Sequence, residues 1–495
     1  MRMIDAMSAA GDDCAAVRRI SSMAGLTPAR RATLDALMQA QESGRYVRDI
    51  FAHGDQLGRL SSRDAAFALR LALGVTATEG CLDDALNSHL AKPGKVSARV
   101  RCCLRISAYE ALYLDTPADV VVSQGVELVR SCAKSASGLA NAVLRRVCEN
   151  RTQFLSAEDA VDEQRPIVSA ARRSGLPVWL VRAITRAHPL ESSRVLAAQT
   201  RPAPTAVHLN ARLDGSKPSW LDQAQPALLG LAGAYRVAHV GAVAHAGAFD
   251  RADAVASDFS AQLIATAAVA AGSCLEIGAG RGTKTFVMQS QAIRAGLTRT
   301  HVALDLYEGK CAANARRIEL AEYPRVKTAF GDARDLDAVL GALDREAARR
   351  MEFDTVLVDA PCSGTGTMRR HGEIPWRLAR TDVTRDLPEL QLALLSAAAA
   401  RVAVGGQLLY ATCSIMPEEN EGVLERFARS EMGSAFRVEP LSQAPAFCLE
   451  PFRHAADVIR GHEDERGLFH TYPAPDEFDG HFCARMVRRS QASAV

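Results

Sequence analysis

The stretch Leu275-Glu276-Ile277-Gly278-Ala279-Gly280-Arg281-Gly282-Thr283-Lys284-Thr285 decides the fold. A short apolar run enters three glycines and leaves on a segment of helical periodicity, the pattern of a strand turning tightly into a helix. Glycines let the backbone pass close to a ligand and leave the first N–H groups of the helix for anionic or polar groups. Taken alone, the triplet is equally compatible with a plain strand-to-helix turn. It is not a GxxxxGK[ST] phosphate loop, because Thr283 stands where that motif needs glycine.

Outward from this loop, short apolar runs at Cys274 to Gly278, His301 to Leu306, Val326 to Phe330, Phe353 to Asp359 and Gln407 to Ala411 alternate with helical stretches. Those stretches are Lys284 to Ala295, Gly309 to Glu322, Asp335 to Arg350 and Leu387 to Val404. Strand and helix in alternation predict an α/β domain, a parallel sheet covered on both faces, with ligands at the carboxyl ends of its strands. Asp305 ends the second run, 23 residues after Gly282, where a carboxylate can accept both ribose hydroxyls of an adenosyl group. Asp332, in Phe330-Gly331-Asp332-Ala333, ends the third and is placed to meet an adenine edge. Either aspartate can also be a cap for the helix that follows. The three features together favour a nucleoside-containing cofactor.

The fourth run closes on Val358-Asp359-Ala360-Pro361-Cys362-Ser363-Gly364-Thr365-Gly366-Thr367-Met368-Arg369-Arg370, which holds a thiol on a loop with Arg369, Arg370 and His371 to stabilise a thiolate or hold phosphate. The fifth closes on Tyr410-Ala411-Thr412-Cys413-Ser414-Ile415-Met416-Pro417-Glu418-Glu419-Asn420-Glu421. A helix opening at Pro417 would put Cys413 near its positive end and lower the thiol pKa. Ser414 is equally readable as that helix's cap, and Glu418 and Glu419 as first-turn charges. Two cysteines at neighbouring strand ends are more specific than either alone, with a disulfide as the plain competitor.

The first half differs in texture. Residues 27–150 carry three- and four-residue apolar spacing throughout, and 152–173 are polar and charged, a solvated linker or an exposed helix. At 495 residues the chain exceeds one hydrophobic core, and 48% hydrophobic with 23% charged residues excludes global disorder. A formal charge of +2 is too small for a protein that coats nucleic acid, although residues 28–152 hold 17 Lys plus Arg against 13 Asp plus Glu. Arg145 and Arg146 are candidates for phosphate contact, against the plain reading of a solvated surface. Twelve cysteines without a CxxC pair suit neither zinc nor a disulfide framework, so a reducing cytoplasm and no metal are expected. No signal peptide or bilayer-spanning run is expected either.

DAPCSGTG with RRH and Trp376, then YATCS with PEEN, resembles the RNA cytosine-5 methyltransferase family of the bacterial Sun/RsmB type. Leu104-Arg105, Tyr109, Leu112-Tyr113, Pro117 and Gly138 to Arg145 resemble the NusB-like RNA-binding domain of that branch, and Ser257-Asp258-Phe259-Ser260-Ala261-Gln262 fits its QDxSAQ segment with Ser257 in place of Gln. The resemblance implies a NusB-like all-helical domain at 27–150, a linker and small RNA-contacting subdomain at 151–250, and a Rossmann-like methyltransferase domain at 251–495. It implies S-adenosylmethionine as cofactor, bound by Gly278, Ala279, Gly280, Arg281, Gly282, Thr283, Lys284, Asp305, Asp332 and Asp359. By the same resemblance Cys413 is the nucleophile, Cys362 assists product release, and Asp359 holds the cytosine edge. The implied partner is RNA, with small-subunit ribosomal RNA foremost, and a monomer is expected. The family's loop is usually CAAPGGKT; here Gly278 to Thr285 keep Gly282 and Lys284 and lack the proline and one glycine. A DNA or transfer-RNA cytosine-5 methyltransferase and a non-enzymatic RNA-binding protein are the alternatives. The first lacks a place for the YATCS cysteine if its substrate is DNA, and the second is motivated by the altered loop.

Overall fold

The computed structural model describes residues 25–489 except 54–57, 59, 156–164, 217, 222–223, 227–229, 239 and 344–350. Contacts divide the chain into two units, one of residues up to Ala183 together with His371–Arg377, the other of Ile184–Arg370 and Leu378–Val495.

In the first unit the apolar spacing produces helices Pro28–Ser43, Val47–His53, Ser62–Ala77, Glu79–Asn87, Ala98–Tyr113, Ala118–Arg130 and Ser137–Glu149, and no strand among the described residues. Pro28 starts the first helix, where its missing N–H costs nothing, and Gly44 ends it in the left-handed region with its N–H on Ala40 O. Leu71, Leu82, Leu86, Leu104, Leu128 and Leu144 form the core. A buried pair, Arg30 to Glu110 at 2.5 Å, joins the first helix to the fifth. Around the polar stretch 152–173, Arg151–Leu155 and Arg165–Ser174 are helices, and 156–164 lie outside the described residues. His371–Arg377 belongs here: Trp376 Nε1 donates to Ala77 O at 2.9 Å, and Val47 N donates to Glu373 Oε1 at 2.9 Å. Arg145 and Arg146 are exposed.

The second unit holds two sheets. Strands β1 (Thr205–Leu209), β2 (Gln225–Pro226), β3 (Ala234–Val237) and β4 (Ala254–Ala256) pair antiparallel in the order β2-β3-β1-β4. The large sheet comprises β5 (Gly272–Ile277), β6 (Arg299–Asp305), β7 (Val326–Phe330), β8 (Phe353–Asp359), β9 (Val402–Thr412), β10 (Phe436–Glu439), β11 (Phe469–Thr471) and β12 (His481–Arg488). Its order is β10-β12-β9-β8-β5-β6-β7, with β11 beside β12. The five strands read from apolar runs are β5 to β9 and are parallel to one another. β12 joins β9 antiparallel, so the sheet is mixed rather than wholly parallel. The order reverses at β5, between β6 and β8, and this switch point opens the crevice in which a doubly wound sheet binds its ligand.

One helix ends earlier than expected. The helix expected to reach Val404 stops at Ala399, because Val402 already pairs with Phe353 and opens β9. The stretch expected as helix to Arg350 is helical at Leu336–Leu343, and 344–350 lie outside the described residues. Among the described residues no single helix is long and apolar enough to cross a membrane.

Candidate active site

The carboxyl ends of β5, β6, β7 and β8 enclose a cavity of about 510 Å³. Gly278, Gly280, Asp305, Asp332 and Asp359 line it, with Leu304, Leu306, Pro361, Leu390 and Leu394 supplying apolar wall. Gly278 must be glycine: its φ is +80°, and a Cβ there would lie 2.2 Å from the Asp359 carbonyl oxygen. The same holds for Gly282, φ +82°, where a Cβ would meet Asn314 Oδ1 at 1.9 Å. Gly282 precedes the helix Thr283–Arg294, as the strand–glycine–helix reading required.

Asp305 is buried, and its carboxylate accepts N–H groups from Gly280 at 2.9 Å and Tyr307 at 3.0 Å. Each oxygen keeps a lone pair, so two hydroxyl donors can still be taken. Asp332 is forked by Arg334, which holds its carboxyl below the usual range, first through the side-chain hydrogen bonds. Ala279, Arg281, Gly282, Thr283 and Lys284 do not line the cavity. Arg281 is exposed and its carbonyl accepts from Arg317; the Lys284 ammonium turns instead to Asp359 Oδ2, at 2.7 Å.

The cysteines from the ends of β8 and β9 come together, with Cys362 Sγ 3.3 Å from Cys413 Sγ. Adjacent parallel strands bring this about, since Asp359 is paired with Ala411. The two thiols are pushed in opposite directions. Cys413 is held below the usual thiol value by the Cys362 hydrogen bond, aided by Lys284 and Thr367 against burial and Asp359. Cys362 is pushed well above it, first by that same bond and then by burial and the charges of Cys413 and Glu419. Lys284 stays above its usual value because the Asp359 charge and hydrogen bond outweigh burial, which acts the other way.

Several sequence expectations need correction. The helix after Cys413 starts at Glu421, not at Pro417, since 417–420 form a turn and Asn420 precedes the helix. The acidity of Cys413 therefore comes from Cys362, Lys284 and Thr367 rather than from a helix end. Ser414 does not cap that helix; its hydroxyl lies 2.5 Å from Glu419 Oε2. Glu418 is exposed, whereas Glu419 is fully buried. Nor are the arginines of the cysteine loop free for phosphate. The Arg369 side chain is wholly buried with Nε 2.7 Å from Asp479 Oδ1, and Arg370 pairs with Asp479 and Asp258. His371 packs against Tyr46 in the helical unit. Sequence reasoning missed Glu419, Gln391 and Asp479; only the PEEN string pointed at the first.

The model of the 16S rRNA methyltransferase RsmB/F family matches residues 267–487, and that of the NusB family matches residues 27–149. The Mycobacterium tuberculosis protein Rv1407 is 31% identical over 462 residues, covering 88% of this chain and 95% of that protein. Ribosomal RNA small subunit methyltransferase B of Sodalis glossinidius is 29% identical over 473 residues, covering 91% of this chain and 98% of the relative. The crystal structure of PH0851 shares the fold, with a TM-score of 0.70 at 18% identity over 94% of this chain and 100% of that one. With a relative above 30% identity spanned nearly end to end, and the two family models falling on the helical N-terminal part and on the large sheet, the chain belongs to the RsmB/F methyltransferase family and carries a NusB-family domain before its catalytic domain.

Proposed function

We propose that this enzyme transfers a methyl group to C5 of a cytosine in RNA, with small-subunit ribosomal RNA as substrate, through a covalent bond between Cys413 and C6 of the base. The observation that carries the reading is the Cys362–Cys413 pair, 3.3 Å apart, beside the Lys284–Asp359 ion pair. S-adenosylmethionine, when bound, supplies the electrophilic methyl group. The cavity suits it in size and lining: apolar walls for the adenine, and Asp305 with two lone pairs for the ribose hydroxyls.

Cytosine C5 is too electron-poor to attack a sulfonium methyl unaided. The Cys413 thiolate adds at C6, a C–S bond forms, and the displaced electron pair makes C5 an enamine carbon. Asp359 holds the N3 and amino edge of the base and stabilises the ring when N3 is protonated. Lys284, bonded to Asp359, puts a cation beside Cys413 that favours its thiolate. After methylation a solvent base takes the C5 proton, the C5–H electron pair re-forms the C5=C6 double bond, and the C6–S pair returns to Cys413 as thiolate; Cys362 assists this elimination. A paired cytosine is out of reach, so the target is single-stranded or flipped.

The division into domains at 27–150, 151–250 and 251–495 goes with this reading, the helical part adding phosphate contacts through exposed residues such as Arg145 and Arg146. The test is methylation in vitro of small-subunit rRNA from a strain lacking the enzyme, with bisulfite mapping of the product. One new protected cytosine is expected. Methylation of DNA instead, or none at all, would overturn the reading.

A further inference from the structure

Glu419 takes no part in the steps above, yet it is the most heavily bonded carboxylate at the site. It is fully buried in the turn between β9 and the helix Glu421–Ala428. Its Oε1 accepts the Ser363 N–H at 2.8 Å and the Gln391 amide at 2.9 Å. Its Oε2 accepts the hydroxyls of Ser363 and Ser414, each at 2.5 Å. Four donors fill the two oxygens and favour the ionised carboxylate, while burial acts more strongly the other way and raises the carboxyl above its usual value. Thr365 Oγ1 closes the cluster, 3.0 Å from Ser414 Oγ and accepting the Ile415 N–H at 3.0 Å. Ser363 directly follows Cys362, and Ser414 directly follows Cys413.

We infer that Glu419 is a positioning residue for the two-cysteine reaction: by gripping the residue after each cysteine, one carboxylate sets the separation and mutual orientation of the two sulfurs. The inference rests on the proposed two-cysteine reaction. Its charge acts in the same sense as its geometry. Cys362 feels Glu419 and Cys413, Cys413 feels Lys284, Asp359, Thr367 and Cys362, and the buried Tyr410 hydroxyl feels Cys362 and Glu419. Negative charge on one side and the Lys284 cation on the other polarise the pair, Cys413 being pushed down and Cys362 up. An amide of the same size removes the charge and turns donor N–H groups toward partners that must then reorient, so Glu419→Gln is read together with Glu419→Asp, which keeps the charge.

The test uses the full chain, with Glu419→Gln to remove the charge, Glu419→Asp to keep it, and Ser414→Ala to cut one link. Iodoacetamide alkylation of Cys362 and Cys413 is followed separately by peptide mass spectrometry across pH, without RNA or cofactor, and RNA methylation is measured in parallel. In the parent enzyme Cys413 should react first. In Glu419→Gln that preference should fall by about tenfold, equivalent to one pH unit between the two titrations. Glu419→Asp should restore part of it, and Ser414→Ala should weaken it less. Ser414→Ala also carries the test if Glu419→Gln does not fold, because its folded enzyme must still show a reduced preference. A preference and pH profile like the parent's in the variants, with the parent active, would overturn the role of Glu419 alone. A parent that shows no Cys413 preference and methylates no RNA cytosine would overturn the two-cysteine reaction itself.

Discussion

The Lys284 ammonium donates to Oδ2 of Asp359 at 2.7 Å, tying the helix after the glycine loop to the carboxyl end of β8. The lysine of the glycine loop thus reaches Asp359 and the cysteine pair and does not line the cavity. Its cation is one of the groups that lower the Cys413 thiol, so removing it should raise that thiol. In the parent enzyme the single-turnover rate should climb with pH as Cys413 loses its proton and level off below the usual thiol range. In Lys284→Met the climb should move to higher pH by about one unit. An unmoved midpoint would mean that the lysine does not act on the nucleophile.

Cys413→Ala should abolish methylation and leave cofactor affinity unchanged, because the thiol is used only in the chemical step. Cys362→Ala should still allow addition but slow elimination, so a protein–RNA adduct should accumulate and be visible on denaturing gels. Measuring both variants separates the roles. An adduct with Cys413→Ala and none with Cys362→Ala would exchange them.

For the cofactor cavity, Asp305→Ala should weaken S-adenosylmethionine binding by about 1–3 kcal/mol, the cost of leaving buried polar partners unpaired. Part of that loss comes from the loop itself, since the Gly280 N–H relies on the same carboxylate. Asp332→Ala should cost less, because Asp332 is 40% exposed and already forked by Arg334. Calorimetric titration of both variants ranks them. An equal or larger loss at Asp332 would reverse the ribose and adenine assignments.

Gly366 sits where the cysteine loop passes another stretch of backbone. A Cβ there would lie 2.1 Å from Gly480 O and 2.9 Å from Cys413 O, and neither main-chain oxygen can rotate away. Gly366→Ala should therefore force the loop off Cys413, lowering both melting temperature and methylation. The neighbouring Gly364→Ala is strained instead by its φ of +69°, a smaller local cost. A Gly366→Ala enzyme with normal activity would show that the loop tolerates displacement.

The strands β5 to β9 were legible because parallel strands covered on both faces read as unbroken apolar runs, and their ends coincide with Asp305, Asp359 and Thr412. The antiparallel addition of β12 was not, since nothing in His481–Arg488 tells which neighbour it pairs with or in which direction. Local signals also lose where tertiary bonding competes. Pro417 is a good first helical residue, but Thr412 Oγ1 bonds Asn420 Oδ1 and Ser414 Oγ bonds Glu419, which hold 417–420 as a turn. Charge misleads in the same way: Glu419 and Arg369 look like surface residues in the string, yet their side chains are buried against partners far along the chain.

Arg369 and Asp479 are 110 residues apart and meet with both side chains wholly buried. Arg369 also donates to the carbonyls of Ala474 and Glu477, and Arg370 reaches Asp479 from the other side. The loop carrying Cys362 is thereby pinned to the segment before β12. Asp479→Ala leaves the Arg369 cation buried with only carbonyl partners, and breaking a buried pair in this way costs about 3–5 kcal/mol. Arg370 keeps Asp258 at 3.2 Å, so the loss should fall mainly on Arg369. Thermal unfolding of the full chain should show the drop, and methylation should fall with it as the loop loosens. Replacing both groups, Arg369→Met with Asp479→Ala, removes the stranded charge and should recover part of the stability. A double variant no more stable than Asp479→Ala would show that the damage comes from lost packing rather than from an unpaired buried cation.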